Sequence, residues 1–186
     1  MPIWLIILLV IVILLIVVLF SKYNSLVVLK NKVEDQFSQI DIQLKRRADL
    51  IPNLVETIKG YTDHESKTLE SIISARNKYL SSDIKEDKIK NADKLNSSVN
   101  KLFALAESYP DLKASKNFEE LQKQLSETED KISYARQFYN DTVLMYNNKV
   151  KMFPDNLIAS IFGFKSESFF EATKEEKKNI KVSFKD

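Results

Sequence analysis

Cysteine is missing from all 186 residues, which removes disulfides, thiolate metal sites and a cysteine nucleophile from consideration. Glycine occurs twice and proline four times, too few for the turns of a sheet or for a phosphate-cradling loop. Histidine occurs once, at His64. A zincin-type helix needs a second His four residues later, and Thr68 stands there. Nor can a Ser–His–Asp set be built around one His at a helix start. Neither sign of charge dominates, with 28 Lys and Arg against 26 Asp and Glu, so net charge gives no case for nucleic acid. The carboxylate pairs Glu34/Asp35, Glu119/Glu120 and Glu175/Glu176 are sequence neighbours. On a helix such neighbours point about 100° apart and read as solvated surface charge. No catalytic residue, metal or cofactor is expected.

Charge is also missing from the start of the chain, where nothing ionisable in a side chain precedes Lys22. Ile3 to Phe20 is an unbroken run of 18 apolar residues, including Trp4, Leu5, Leu9, Ile13 and Val17. As a helix it spans roughly 27 Å, close to the thickness of a bilayer's hydrocarbon core. A cleaved signal peptide fits poorly, for there is no basic leader, the run is too long, and "SKYNS" is no cleavage site. Residues 1–21 are therefore expected to be a retained single-pass anchor in the cell membrane. Lys22, Lys30 and Lys32 follow the span and nothing basic but the α-amino group precedes it, which puts the N-terminus outside and the rest in the cytoplasm.

Beyond the anchor, apolar residues recur with heptad gaps: Leu26, Val33, Phe37, Ile40, Leu44, Ile51, Leu54, Ile58 and Tyr61. Lys30 and Arg47 fill the two skipped positions. Leu69, Ile72, Ile73, Arg76 and Leu80 form a second face, with Thr62 and Glu65 at capping-box spacing before it. Ala92 to Tyr109 gives a third, ended by Pro110, and "PDLKAS" reads as a loop. Phe118, Leu121, Leu125, Thr128, Ile132, Ala135, Tyr139, Thr142, Tyr146 and Phe153 give a fourth, ended by Pro154. Four periodic segments with short links predict an all-α fold: the transmembrane helix, then an antiparallel up-and-down bundle of about four long helices over 22–172.

Pro52 interrupts the first of these segments. It lacks an N–H and crowds the carbonyl four residues back, at a cost of about 3 kcal/mol inside a helix. The heptad phase passes through it without slipping, so a kink in one continuous helix is expected rather than a break. Lys45, Arg46 and Arg47 precede it and could suggest an anion site. Phosphate prefers a helix N-terminus, however, and these cations suit the carbonyls that the proline frees, with Arg47 reaching across the seam to a carboxylate.

The C-terminal part differs in composition. Phe153, Phe162, Phe164, Phe169 and Phe170 crowd into 153–172, where Leu157, Ile158, Ile161 and Phe162 share one face of a short helix capped by Asp155 and ended at Gly163. This segment reads either as a lid on the bundle, the preferred reading, or as an interfacial or subunit contact. Residues 173–186 form a charged tail.

The stretches "YNSLVVLKNKVEDQFSQIDIQLKRRADLIPNLVETIKGYTDHE" and "YPDLKASKNFEELQKQLSETEDKISYARQFYNDTVLMYNNKVKMFPDNLIASIFGF" resemble the LemA family over nearly the whole chain. The resemblance implies a membrane-anchored bundle of long helices and carries no catalytic residues. Two functions are expected. The first is a non-catalytic scaffold that self-assembles or docks another membrane protein; the second is an accessory or sensing subunit of a membrane enzyme such as an integral protease. The segment 118–153 would be about 54 Å long against about 39 Å for 84–109. That mismatch points to a homo-oligomer, with Tyr139, Tyr146 and Phe153 in or beside the contact.

Overall fold

The structure is a computed structural model that describes residues 2–62 and 65–170. His64, Glu175/Glu176 and the 173–186 tail lie outside the described residues. Where the sequence has long stretches free of glycine and proline, the chain is helical. Among the described residues there are six helices and no strand: α1 Ile3–Lys59, α2 Ser66–Leu80, α3 Lys85–Ala106, α4 Pro110–Lys113, α5 Lys116–Lys151 and α6 Asp155–Phe162. The expected all-α class holds. The anchor and the first periodic segment are a single helix of 57 residues that passes through Pro52 unbroken. From Ile3 to Phe20 every side chain of α1 is exposed, by 37–76 %.

Two compact units divide the described residues, 2–40 with Ala135–Phe169, and Asp41–Tyr134 with Phe170. In the first unit α1 and α5 run antiparallel, since Ser25 meets Lys149 while Phe37 meets Tyr139 further along, their ring centroids 6.0 Å apart. After α5 the chain turns back. α6 buries Ile158 and Ala159 against Leu26, beside Tyr23, Val150 and Phe164. Gly163, at φ 74°, takes the left-handed conformation that ends the helix, and the Phe164 N–H donates to the Ala159 carbonyl at 2.9 Å. Asp155 does not cap α6 as expected. It is the helix's first residue, and its buried carboxylate lies 3.0 Å from Lys22 Nζ and 4.0 Å from Lys149 Nζ. Partners on α1 and α5 outcompete the local N–H groups.

In the second unit α2 runs back along α1, with Tyr79 hydrogen-bonded to Asp41 and Arg76 to Ala48. α3 reverses again, and Asn91 Nδ2 donates to Ser82 Oγ at 2.9 Å across the turn. The rings of Phe103 on α3 and Phe118 on α5 lie 6.4 Å apart. The core is drawn from the heptad positions: Leu44, Ile51, Leu54 and Ile58 of α1, Leu69 and Ile72 of α2, Ala92 through Ala106 of α3, and Phe118, Leu125 and Ile132 of α5. Three local expectations fail. Thr62 makes no capping box, because its hydroxyl donates instead to the Ile58 carbonyl at the end of α1, and α2 starts at Ser66. Tyr61 and Leu80 are exposed, the first beyond the end of α1 and the second at the last residue of α2. The 110–115 loop contains the single turn α4, for which Pro110 at the first helical position is pre-organised, and which buries Leu112.

Candidate interaction sites

Pro52 leaves the carbonyl of Ala48 without its partner four residues on, and Ala48 is fully buried. The missing donor comes from another helix: Arg76 Nε of α2 donates to Ala48 O at 2.7 Å, and its Nη2 lies 3.9 Å from Asp49. The three cations before the proline do something else. Lys45 pairs with Asp49 at 3.0 Å, one turn on, and Arg46 points to solvent. Arg47, 1 % exposed, does reach across the seam to a carboxylate, that of Glu129 on α5. So the expected counter-charges were placed on the wrong helix. Arg76 was legible as a cation on the apolar face of α2, but nothing local tied it to Pro52.

A second polar cluster lies on the same unit. Asp41 accepts from the Tyr79 hydroxyl at 2.9 Å and from Lys88 Nζ at 2.7 Å. Burial, and after it the hydrogen bond to Asp41, hold the Tyr79 phenol well above its ordinary range. Lys88 and Asp41 already satisfy each other, so the cluster is a clasp between three helices rather than a receptor for a ligand.

The aromatic residues at the C-terminal end of α5 separate into two groups. Tyr139 and Tyr146 are fully buried within the first unit. The Tyr139 hydroxyl donates to Ser168 O at 2.9 Å. Asn147, beside them, grips the backbone of Glu167 at both ends, donating to its carbonyl at 2.9 Å and accepting from its N–H at 2.8 Å. The seam of α5 that had looked unmatched is thus covered by α1 and by the returning 164–169 segment of the same chain. Phe153 is 77 % exposed, because α5 stops at Lys151 and the heptad phase ends with it.

Another face of α5 is left open. Within the first unit Phe138 and Met145 are 62 and 55 % exposed. An offset of seven residues, about two turns, stacks them on one stripe of the helix. In the sequence this stripe is masked by the stronger seam through Tyr139 that runs beside it on the same helix. Among the described residues no group of three or more His, Asp or Glu comes together that could hold a metal.

The LemA family model matches residues 36–184. The chain is similar to Protein LemA of Metamycoplasma hominis, 27 % identical over 161 residues, covering 86 % of this chain and 74 % of that protein. It is also similar to Magnetosome protein MamQ 2 of Paramagnetospirillum magneticum, 23 % identical over 179 residues, which covers 82 % of this chain and 66 % of that one. Magnetosome protein MamQ of Magnetospirillum gryphiswaldense is 22 % identical over 178 residues, covering 82 % of this chain and 65 % of that protein. The chain therefore spans just under two thirds of the length of these magnetosome proteins.

Proposed function

Because the chain belongs to the LemA family, we propose that it is a membrane-anchored, non-catalytic scaffold that assembles copies of itself, or docks a membrane partner, through open helix faces. One observation carries this reading. In the first unit α1 continues from a bare apolar run into an antiparallel pairing with α5, and α5 keeps the apolar stripe of Phe138 and Met145 uncovered. An apolar stripe at helical spacing is suited to packing against another helix. Anchoring confines such faces to a plane, where modest pairwise affinity is multiplied by effective concentration. The lysines after the span favour a cytoplasmic bundle with the N-terminus outside.

Purification of the full chain in mild detergent tests the proposal. The expected result is a homo-oligomer that Phe138→Glu dissociates without loss of helicity, since a carboxylate buried at a contact is left unpaired. A monomer that copurifies with one foreign protein in fixed ratio would shift the reading to an accessory subunit. An oligomer unmoved by Phe138→Glu would overturn the choice of face.

A further inference from the structure

α6 is fastened to the first two turns of α1 beyond the apolar run. Tyr23 packs between Phe162 and Phe164, with ring centroids 4.7 and 5.7 Å away. Lys22 Nζ holds Asp155 at 3.0 Å, and Leu26 packs on Ile158 and Ala159. At a rise of 1.5 Å per residue, Lys22, Tyr23 and Leu26 lie only about 3, 4.5 and 9 Å along the axis from Phe20. The polar layer outside a ~30 Å hydrocarbon core is itself about 5–8 Å thick on each side. If Ile3 to Phe20 crosses the bilayer, α6 is held at the level of the headgroups.

Its outer surface suits that level. Leu157 and Ile161, one turn apart on α6, are 55 and 73 % exposed, and Met152 and Phe153 just before it are 63 and 77 % exposed. Exposed Lys151 and Lys165 flank the segment. The one carboxylate on the helix, that of Asp155, is buried between Lys22 and Lys149 and carries no bare charge towards lipid. An apolar face with cations at its rim and its own acid neutralised is what an interfacial helix presents to acyl chains and phosphates.

We propose that α6 and the preceding 152–154 turn lie in the bilayer interface beside the span. Leu157, Ile161 and Phe153 enter the acyl boundary, and Lys151 and Lys165 meet lipid phosphates. This second foot rests on the reading of Ile3–Phe20 as the membrane anchor. Its consequence is orientational: a lone helix can rotate and tilt freely, whereas a helix with a lateral foot presents one fixed side of its bundle to the membrane.

The full chain in phospholipid vesicles, with acyl chains brominated near the headgroup or not, tests it by tryptophan fluorescence. Trp4 is the only tryptophan, so the wild type reports on the span. In a Trp4→Phe background, Ile161→Trp reports on α6, and Phe138→Trp serves as the control. Phe138 is also well exposed, at 62 % against 73 % for Ile161, but adjoins Tyr139, which packs on Phe37, about 26 Å of helix beyond Phe20. The expected result is blue-shifted emission from Ile161→Trp, with a bromine-dependent loss comparable to that of Trp4, and none from Phe138→Trp. Quenching of Trp4 with red, unquenched emission from Ile161→Trp would overturn the proposal and leave the anchor standing. Blue emission without quenching would overturn it in favour of a second copy covering the patch. An unquenched Trp4 would overturn the anchor, and this proposal with it.

Discussion

The contact between Arg76 and the Ala48 carbonyl can be tested by a double-mutant cycle, because a covalent change elsewhere can make it redundant. Arg76→Met keeps most of the aliphatic stem but removes the donor, leaving a buried acceptor unpaired on fully enclosed Ala48. A hydrogen bond from a charged donor contributes about 1.5–3 kcal/mol, and an unsatisfied buried acceptor costs about 1–3 kcal/mol. With the Arg76 side chain 22 % exposed, some water reaches the site, so we expect a loss of about 2 kcal/mol. Pro52→Ala restores an N–H at the position that pairs with Ala48 O and should itself raise stability. In that background Arg76→Met forfeits only the 3.9 Å approach to half-exposed Asp49, worth less than about 1 kcal/mol. The coupling energy should therefore be about 1–2 kcal/mol, read from urea unfolding of the full chain in detergent by helical circular dichroism. Additivity within about 0.5 kcal/mol would refute the idea that Arg76 stands in for the donor the proline lacks.

Other expectations follow from single groups. Tyr146→Phe removes a buried hydroxyl that has no hydrogen-bond partner among the described residues, so it should leave stability unchanged or raise it. Tyr139→Phe, which loses the bond to Ser168 O, should cost about 1 kcal/mol by the same unfolding measurement. Glu129→Gln removes one charged partner of Arg47; because Glu129 is 44 % exposed, the loss should fall below the roughly 3–5 kcal/mol of a fully buried pair. Alkaline pH should destabilise the fold through Tyr79. Its folded pKa is raised, so above about pH 10 the unfolded chain releases a proton that the folded chain keeps, and stability falls as pH rises. A Tyr79→Phe chain should show a shallower decline between pH 10 and 11.

What the sequence disclosed was what repeats or what is forbidden. The seams and the continuity of α1 through Pro52 were legible because burial of one helix face imposes a period that a single residue cannot disturb. Gly163 was legible because a left-handed helix end has few other solutions. Contacts made at a distance were not. Asp155 looked like a cap from its neighbours, and only the folded chain brings Lys22 within 3.0 Å, from 133 residues away. Phe153 continued a seam on paper, yet the helix beneath it ends at Lys151. The α6 face divided, too. Leu157, Ile158, Ile161 and Phe162 were expected to act together, but Ile158 turns inward with Ala159 while Leu157 and Ile161 turn out. The inward side fits the lid reading, and the outward side is the one proposed above to meet lipid.

The two-ended grip of Asn147 on Glu167 has a consequence for which changes this chain can absorb. A carboxamide that donates to a carbonyl and accepts from the N–H of the same residue reads main chain only, as a neighbouring strand would. The Tyr139 hydroxyl, ending on Ser168 O, reads main chain as well. A change of side chain at 168 therefore leaves this grip in place, whereas proline at 167, which has no N–H to offer, would loosen it. Asn147 has no such freedom. Deamidation to aspartate would turn its donor into a second acceptor facing the Glu167 carbonyl, so a slow chemical change at one buried amide, with no cut in the backbone, would release the segment that roofs Tyr139 and Tyr146.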